Sequence, residues 1–254
     1  MSPDLLIPPQ FEKENISLEG RSILISDAAT DIGRSLSIAL AERGATLLLL
    51  ARKGKTLNPL YDLIVDQDGP EPMIIEMDLT KANDDHYTAL LQSLQESYCA
   101  LHGLVNLSLS SAPLAPTTLT SATTWHQCYE FNLIRPMLLT RALLPMLEKS
   151  DNASVVFYSL SAGRQGTAYW GPLGAACAGI ENMSQTLAQE FPSVRFNTLD
   201  VGKVSTDLRH TFYPAEARSE LRRVDDDCVM DHFLYLLSNA SKDISGAAFT
   251  IPNL

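Results

Sequence analysis

Seven short apolar runs set the rhythm of the chain: SILIS (22–26), ATLLLL (45–50), MIIEM (73–77), GLVNLSL (103–109), SVVFYS (154–159), VRFNTL (194–199) and AAFTI (247–251). Their apolar residues come mostly in succession, the pattern of strands buried on both faces. Between most of them lie helix-length stretches with apolar positions every three or four residues, such as SLSIALAERG, HYTALLQSLQESYCAL and NLIRPMLLTRALLPMLEK. This alternation predicts a doubly wound α/β fold, a mostly parallel seven-stranded sheet with helices on both faces. A single domain over 21–254 is expected after an irregular lead-in at 1–20. The polar, weakly patterned stretch 202–223 is predicted to be a flap with two short helices. Ligands of such sheets bind beyond the carboxyl ends of the strands. Those ends are Ser26-Asp27, Ala51-Arg52, Asp78-Leu79, Asn106 to Ser108, Ser159 to Ser161 and Asp200 to Lys203.

Composition narrows the function. With 254 residues, 45% of them hydrophobic, the chain can build one large core. A net charge of -11 opposes a polyanion, so nucleic acid is not an expected partner. Cys99, Cys128, Cys177 and Cys228 are scattered and form no CxxC, so neither a metal site nor a disulfide framework is expected. Asp225-Asp226-Asp227 reads as a capped helix start rather than a metal cluster. The stretch MLLTRALLPML, broken by Arg141 and Pro145, is too short to span a membrane. The leading MSPDLLIPPQFEKEN lacks a basic segment followed by a long apolar one. A soluble, cytoplasmic protein with no membrane partner is therefore expected.

At the first strand end, ISDAATDIGRSLSIALAERGA has the layout of strand, tight loop, helix and strand that sets a pyrophosphate on a helix N-terminus. The layout resembles the short-chain dehydrogenase/reductases, whose first loop reads Thr-Gly-x-x-x-Gly-x-Gly. Aligned on Ile32-Gly33, this chain offers Ser26, Asp27, Asp31 and Gly33, so one glycine of three remains. The resemblance covers essentially 17–254 and implies a Rossmann-type fold around NAD or NADP. A carboxylate about 4 Å from a phosphate, at an effective dielectric of roughly 20, costs on the order of 4 kcal/mol if unscreened. Ordinary pyrophosphate binding is thus not expected, and Asp27 and Asp31 read more simply as acids filling an anion site at a helix N-terminus.

The same resemblance implies cofactor contacts at Ile32, Gly33, Arg52, Asp78, Leu79 and Asn106. Arg52 stands where NADP-preferring members hold the 2′-phosphate, and Asp78-Leu79 where the family's acid holds the adenine amine. Asn106-Leu107-Ser108 stands where the family has Asn-Ala-Gly. The plainer alternatives are a solvated arginine for Arg52 and a strand-end turn former for Asp78.

The family's chemistry needs a serine to orient a carbonyl, a tyrosine as general acid or base, and a lysine four residues later. The segment SVVFYSLSAGRQGTAYWGPLGAACAGIENMSQTLAQEF resembles that region, including Gly-Arg-Gln-Gly at 163–166. It puts Leu160 at the serine, Leu173 at the tyrosine and Cys177 at the lysine. No lysine occurs between Lys149 and Lys203, so the pair is not merely displaced. Of the family's catalytic residues only Asn132 is retained, either to anchor a relay water or to keep its helix kinked. Tyr169, Ser159 and Ser161 are the substitutes nearby, although strand alternation would turn both serines away from the side of Leu160. Cys177 reads as a small buried thiol.

The expected protein is a degenerate family member without the usual NAD(P)-dependent activity, serving as a binding, regulatory or structural subunit, and no cofactor is assigned to it. The alternatives are an NADP-dependent oxidoreductase with a rearranged site, and a small-molecule or nucleotide sensor using the cleft. The resemblance also implies self-association, since the family's long helices before and after the fifth strand pack as a dimer core; the apolar and small-residue faces at 125–149 and 171–190 suit a homodimer or homotetramer of that kind, and a different protein partner remains open.

Overall fold

The consecutive apolar runs become a sheet sealed on both faces in the computed structural model. The structure describes residues 5–8 and 11–252, so the ends of the expected lead-in and domain, 1–4, 9–10 and 253–254, lie outside the described residues. The strands are β1 (Ser22–Ile25), β2 (Thr46–Ala51), β3 (Met73–Glu76), β4 (Gly103–Asn106), β5 (Ala153–Tyr158), β6 (Val194–Asp200) and β7 (Ala248–Thr250). All pair in parallel, in the order β3-β2-β1-β4-β5-β6-β7.

The helices are α1 (Asp31–Ala41), α2 (Asn58–Asp66), α3 (Asp84–Ser97), α4 (Ala122–Tyr129), α5 (Arg135–Leu147), α6 (Gly171–Glu190), α7 (Asp207–Phe212) and α8 (Asp227–Leu237). Side chains leave a strand alternately on its two faces, which splits the core into two layers. Ile23, Ile25, Leu47 and Leu49 pack with Leu36 and Leu40 of α1, Leu60 of α2 and Phe233 of α8. Leu24, Leu48 and Leu50 pack on the opposite face with Leu94 of α3, Leu139 and Leu143 of α5 and Ile180 of α6.

Three expectations change. The expected strand 103–109 ends at Asn106, because the Leu107 amide turns to the Ser26 hydroxyl at 3.0 Å and draws the chain across β1. The stretch 202–223 holds one α-helix, α7, and a single 3₁₀ turn at Arg218–Glu220, and a bridge between Val204 and Arg222 closes its base. The lead-in is tied to the domain: Leu18 is fully buried, the Phe11 ring meets Tyr235 edge-on at 5.3 Å, and Lys13 pairs with Asp227 at 2.7 Å. Its prolines and acids hid those few anchors. No helix among the described residues is long and apolar enough to cross a membrane.

Candidate functional site

The order of the sheet reverses between β1 and β4, and the chain leaves their carboxyl ends in opposite directions. Such a reversal opens a crevice above the sheet. Here it holds a cavity of 670 Å³ lined by Asp27, Arg34, Arg52, Lys53, Asp78, Leu79, Thr80, Ser108 and Arg135, among others. A second cavity of 260 Å³ lies under the flap, bounded by Tyr158, Leu160, Ser161, Trp170, Lys203, Thr206, Leu208 and Phe212. Between them is a space of 180 Å³ that shares Thr30 and Leu107 with the first, and Tyr158, Thr206 and Leu208 with the second.

The loop after β1 is fixed from three sides. The Ser26 amide donates to the Val105 carbonyl, the Ala28 amide to the Leu50 carbonyl, and the Gly33 amide to the hydroxyl of Thr30, which caps α1. A Cβ on Gly33 would lie 2.8 Å from Ala28 Cα and from the carbonyl oxygens of Asp27 and Ala28, so only glycine lets α1 start this close to the loop. Asp27 holds a left-handed backbone, φ 51°, which suits glycine better. Its Oδ2 accepts the Ser108 hydroxyl at 2.5 Å. Burial raises the Asp27 carboxyl above the ordinary carboxylate value, and Ser108 and Arg52 offset this only in part. Its charged form is thereby less favoured than that of an ordinary carboxylate. Asp31 turns elsewhere: its Oδ2 accepts the Asp207 amide at 2.8 Å, tying α1 to the first residue of α7.

The candidate cofactor residues are only partly gathered. Arg52, Asp78 and Leu79 line the 670 Å³ cavity, and Ile32 lines the 180 Å³ space. Asp78 is also the turn former, because its Oδ1 accepts both the amide and the hydroxyl of Thr80, and that side-chain bond leads in holding its carboxyl below the usual value. Gly33 shapes the loop from beneath. Asn106 is not on the wall: it is 2% exposed and donates to the Thr140 hydroxyl at 3.1 Å, while Leu107 to Ser110 form the surface. Sequence reasoning missed Arg34 and Lys53. Arg34 projects from the first turn of α1, bonded to the carbonyls of Ala29 and Thr56, and Lys53 follows Arg52 directly in ARKGK.

Asn132 lies in a π-helical segment, Glu130–Ile134, between α4 and α5. Its Oδ1 accepts the Ser110 amide at 2.7 Å and its Nδ2 donates to the Cys128 carbonyl at 3.0 Å, so it pins the loop after β4 to a widened helical turn. Leu160, Leu173 and Cys177 do come together, in an apolar cluster with Ala112 and Cys128. The 3₁₀ turn at Ser161–Gly163 packs tightly on α6: a Cβ on Gly163 would lie 2.7 Å from the Ala178 nitrogen, and one on Gly174 2.9 Å from the Ala162 oxygen. Burial pushes the Cys177 thiol up to about 12.

The flanking serines part company, because β5 ends at Tyr158 and strict alternation stops there. Ser159 is buried and donates to Glu181, whereas Ser161 lines the cavity under the flap, contrary to the expectation that both turn away. Tyr169 is 59% exposed and borders none of the three cavities. Asp226 caps α8 through the Cys228 amide, and Asp225 and Asp227 pair with Arg223 and Lys13.

With this geometry in hand, the relatives can be placed beside it. Residues 21–217 match the short chain dehydrogenase family, and the chain belongs to that family. It is 31% identical over 240 residues, 94% of either chain, to the uncharacterized oxidoreductase YciK of Escherichia coli K12. A crystal structure from Escherichia coli CFT073, described as a short chain dehydrogenase complexed with NADPH, superposes with a TM-score of 0.89 at 30% identity, over 95% of this chain and 99% of that one. The short chain dehydrogenase from Shigella flexneri gives 0.88 at 31% identity, over 92% and 91%. The chain is thus of the oxidoreductase family with a doubly wound Rossmann-type fold.

Proposed function

We propose that the protein binds NADP(H) in the cleft above β1 and β4 and works as an NADP-dependent oxidoreductase with a rearranged reaction centre. The observation that carries this reading is the 670 Å³ cavity, where the side chains of Arg52 and Lys53 form no hydrogen bond or ion pair among the described residues and Arg34 stands beside them. Unspent cations at the end of β2 suit a 2′-phosphate, and the NADPH complex of a relative supports the same ligand. In this reading Arg52 and Lys53 hold the 2′-phosphate, Asp78 and Leu79 face the adenine, and Ile32 and Gly33 begin the helix that meets the pyrophosphate. When bound, the cofactor supplies or accepts a hydride. Tyr158 and Ser161, two of the hydroxyls on the walls of the cavity under the flap, hold or deliver a proton at a substrate oxygen. Burial raises the Tyr158 phenol, so it is a donor rather than a base at neutral pH.

A second reading, a non-redox binding subunit, is favoured by the apolar packing of Leu160, Leu173 and Cys177, which leaves no acid-base pair at those positions. The two are separated by titrating NADPH and NADH against thermal unfolding and then assaying hydride transfer to a panel of carbonyl compounds. The first reading expects a melting shift with NADPH that exceeds the shift with NADH, and turnover that falls in Ser161→Ala or Tyr158→Phe with NADPH affinity kept. NADPH binding without any turnover supports the second, and no binding at millimolar nucleotide overturns the cofactor reading. The chain also self-associates in this proposal, through the surfaces at 125–149 and 171–190.

A further inference from the structure

Asp27 lines the cleft in the loop between β1 and α1, and among the described residues it is the one carboxyl that links both walls of the cleft at the switch point. Its backbone belongs to the loop after β1, and its Oδ2 is held by Ser108 from the loop after β4. Its Oδ1 accepts no hydrogen bond among the described residues. The local amides are engaged elsewhere, with Ala28 donating to Leu50 and Thr30 to the Asp27 carbonyl rather than to its side chain. The charges around it are few. From the end of β2 it faces Arg52; from α1, Asp31 is turned to the Asp207 amide and Arg34 to two carbonyls. Across the cavity Asp78 is held by Thr80, and Arg135 is paired with Glu130 at 3.1 Å.

From this arrangement, and resting on the NADP(H) reading above, we propose that the Asp27 carboxyl is a proton-linked discriminator: the cleft takes a nucleotide phosphate beside the α1 loop only with Asp27 protonated, so binding takes up a proton from solvent. Ionised, the carboxylate repels the phosphate; protonated, it keeps its bond from Ser108 and turns its own O–H to a phosphate oxygen. Burial already biases it toward the protonated form. Phosphate then raises its proton affinity further, and by linkage protonation raises phosphate affinity equally. Affinity therefore falls with rising pH, by up to about tenfold per pH unit between the free and bound titration points. A glycine at this position would show no such coupling.

The test is calorimetry of NADPH binding to the full chain in two buffers of different ionisation enthalpy, across the acid-to-neutral range, with wild type and Asp27→Asn side by side. The near-isosteric amide keeps an acceptor for Ser108, and comparing the variants cancels the ligand's own phosphate titration. The wild type should take up about one proton more than Asp27→Asn, which should bind more tightly at the alkaline end and with a flatter pH profile. Ser108→Ala, which removes the donor that favours the charged carboxylate, should move the wild-type midpoint to higher pH. Equal proton counts and equal pH slopes in wild type and Asp27→Asn would overturn the proposal while leaving the NADP(H) reading intact. Weaker binding of Asp27→Asn at every pH would also overturn it, and no NADPH binding by either protein would overturn both.

Discussion

Cys177 shows how far one residue's surroundings govern its chemistry. It is 1% exposed, between Leu160 and the small residues of α6, and its thiol is pushed up to about 12 mainly by burial. At neutral pH it is fully protonated and out of reach, whereas Cys99 is exposed. Iodoacetamide followed by peptide mass spectrometry should label Cys99 in the folded protein and Cys177 only after denaturation; prompt labelling of Cys177 would mean that the cluster opens. Linkage gives a sign as well. From the ordinary value of 9.0 up to about 12, the unfolded chain releases a proton that the folded one keeps, so stability declines as pH rises through that window. In Cys177→Ala that part of the decline should vanish from chemical denaturation curves.

At the scale of elements, the floor beneath the flap is held by a charged network joining the 3₁₀ turn, α6 and β6. Arg164 lies 3.3 Å from Glu181 and 4.0 Å from Asp200, with all three side chains at most 10% exposed. Asp200 in turn accepts the amides of Ser161 and Gly202, and Glu181 accepts the Ser159 hydroxyl. Removing one partner of such a network leaves uncompensated buried charge, which typically costs about 3–5 kcal/mol. Arg164→Ala should lose stability on that scale in urea unfolding, and the cavity lined by Ser161 should lose its shape; a loss below about 1 kcal/mol would show that the pair is solvated.

The strands were legible because consecutive apolar residues carry their own signal, and six of the seven runs match the observed strands to within a residue at each end. Gly163 and Arg164 were visible as a motif, but Arg164's partners, seventeen and thirty-six positions away, were not. The short α2 was missed, since it opens on Asn-Pro after a 3₁₀ turn; the π-helical turn, held by the Asn132 side chain reaching back to the Cys128 carbonyl, was foreseen only as a kink, one of two roles offered for Asn132. At the site, Asp27 was conspicuous as an acid at a glycine position. Its partner Ser108 follows 81 residues later, and only the pairing of β1 with β4 brings them together.

For the molecule as a whole, the assembly proposal rests on the outer side of the π-helical turn, where Ile134 is 42% exposed. Sedimentation at micromolar concentration should return a dimer or tetramer, and Ile134→Asp should shift it toward monomer; an unchanged distribution would move the interface elsewhere. The other feature at this scale is the bridge of Leu5 to β7, in which the Leu5 amide donates to the Ala248 carbonyl and the Leu5 carbonyl accepts the Thr250 amide. β7 is the outermost strand on its side, and an outermost strand offers unpaired amides and carbonyls to any passing chain. Leu5 acts as a stopper on that template: it uses the ladder positions that a second copy would need, and Pro8, three residues on, has no amide with which to extend the ladder. A form shortened to begin at Phe11 should keep its fold by circular dichroism yet scatter more light with time at high concentration, while the full chain stays clear. A shortened form that stays as clear as the full chain would show that this edge is guarded elsewhere.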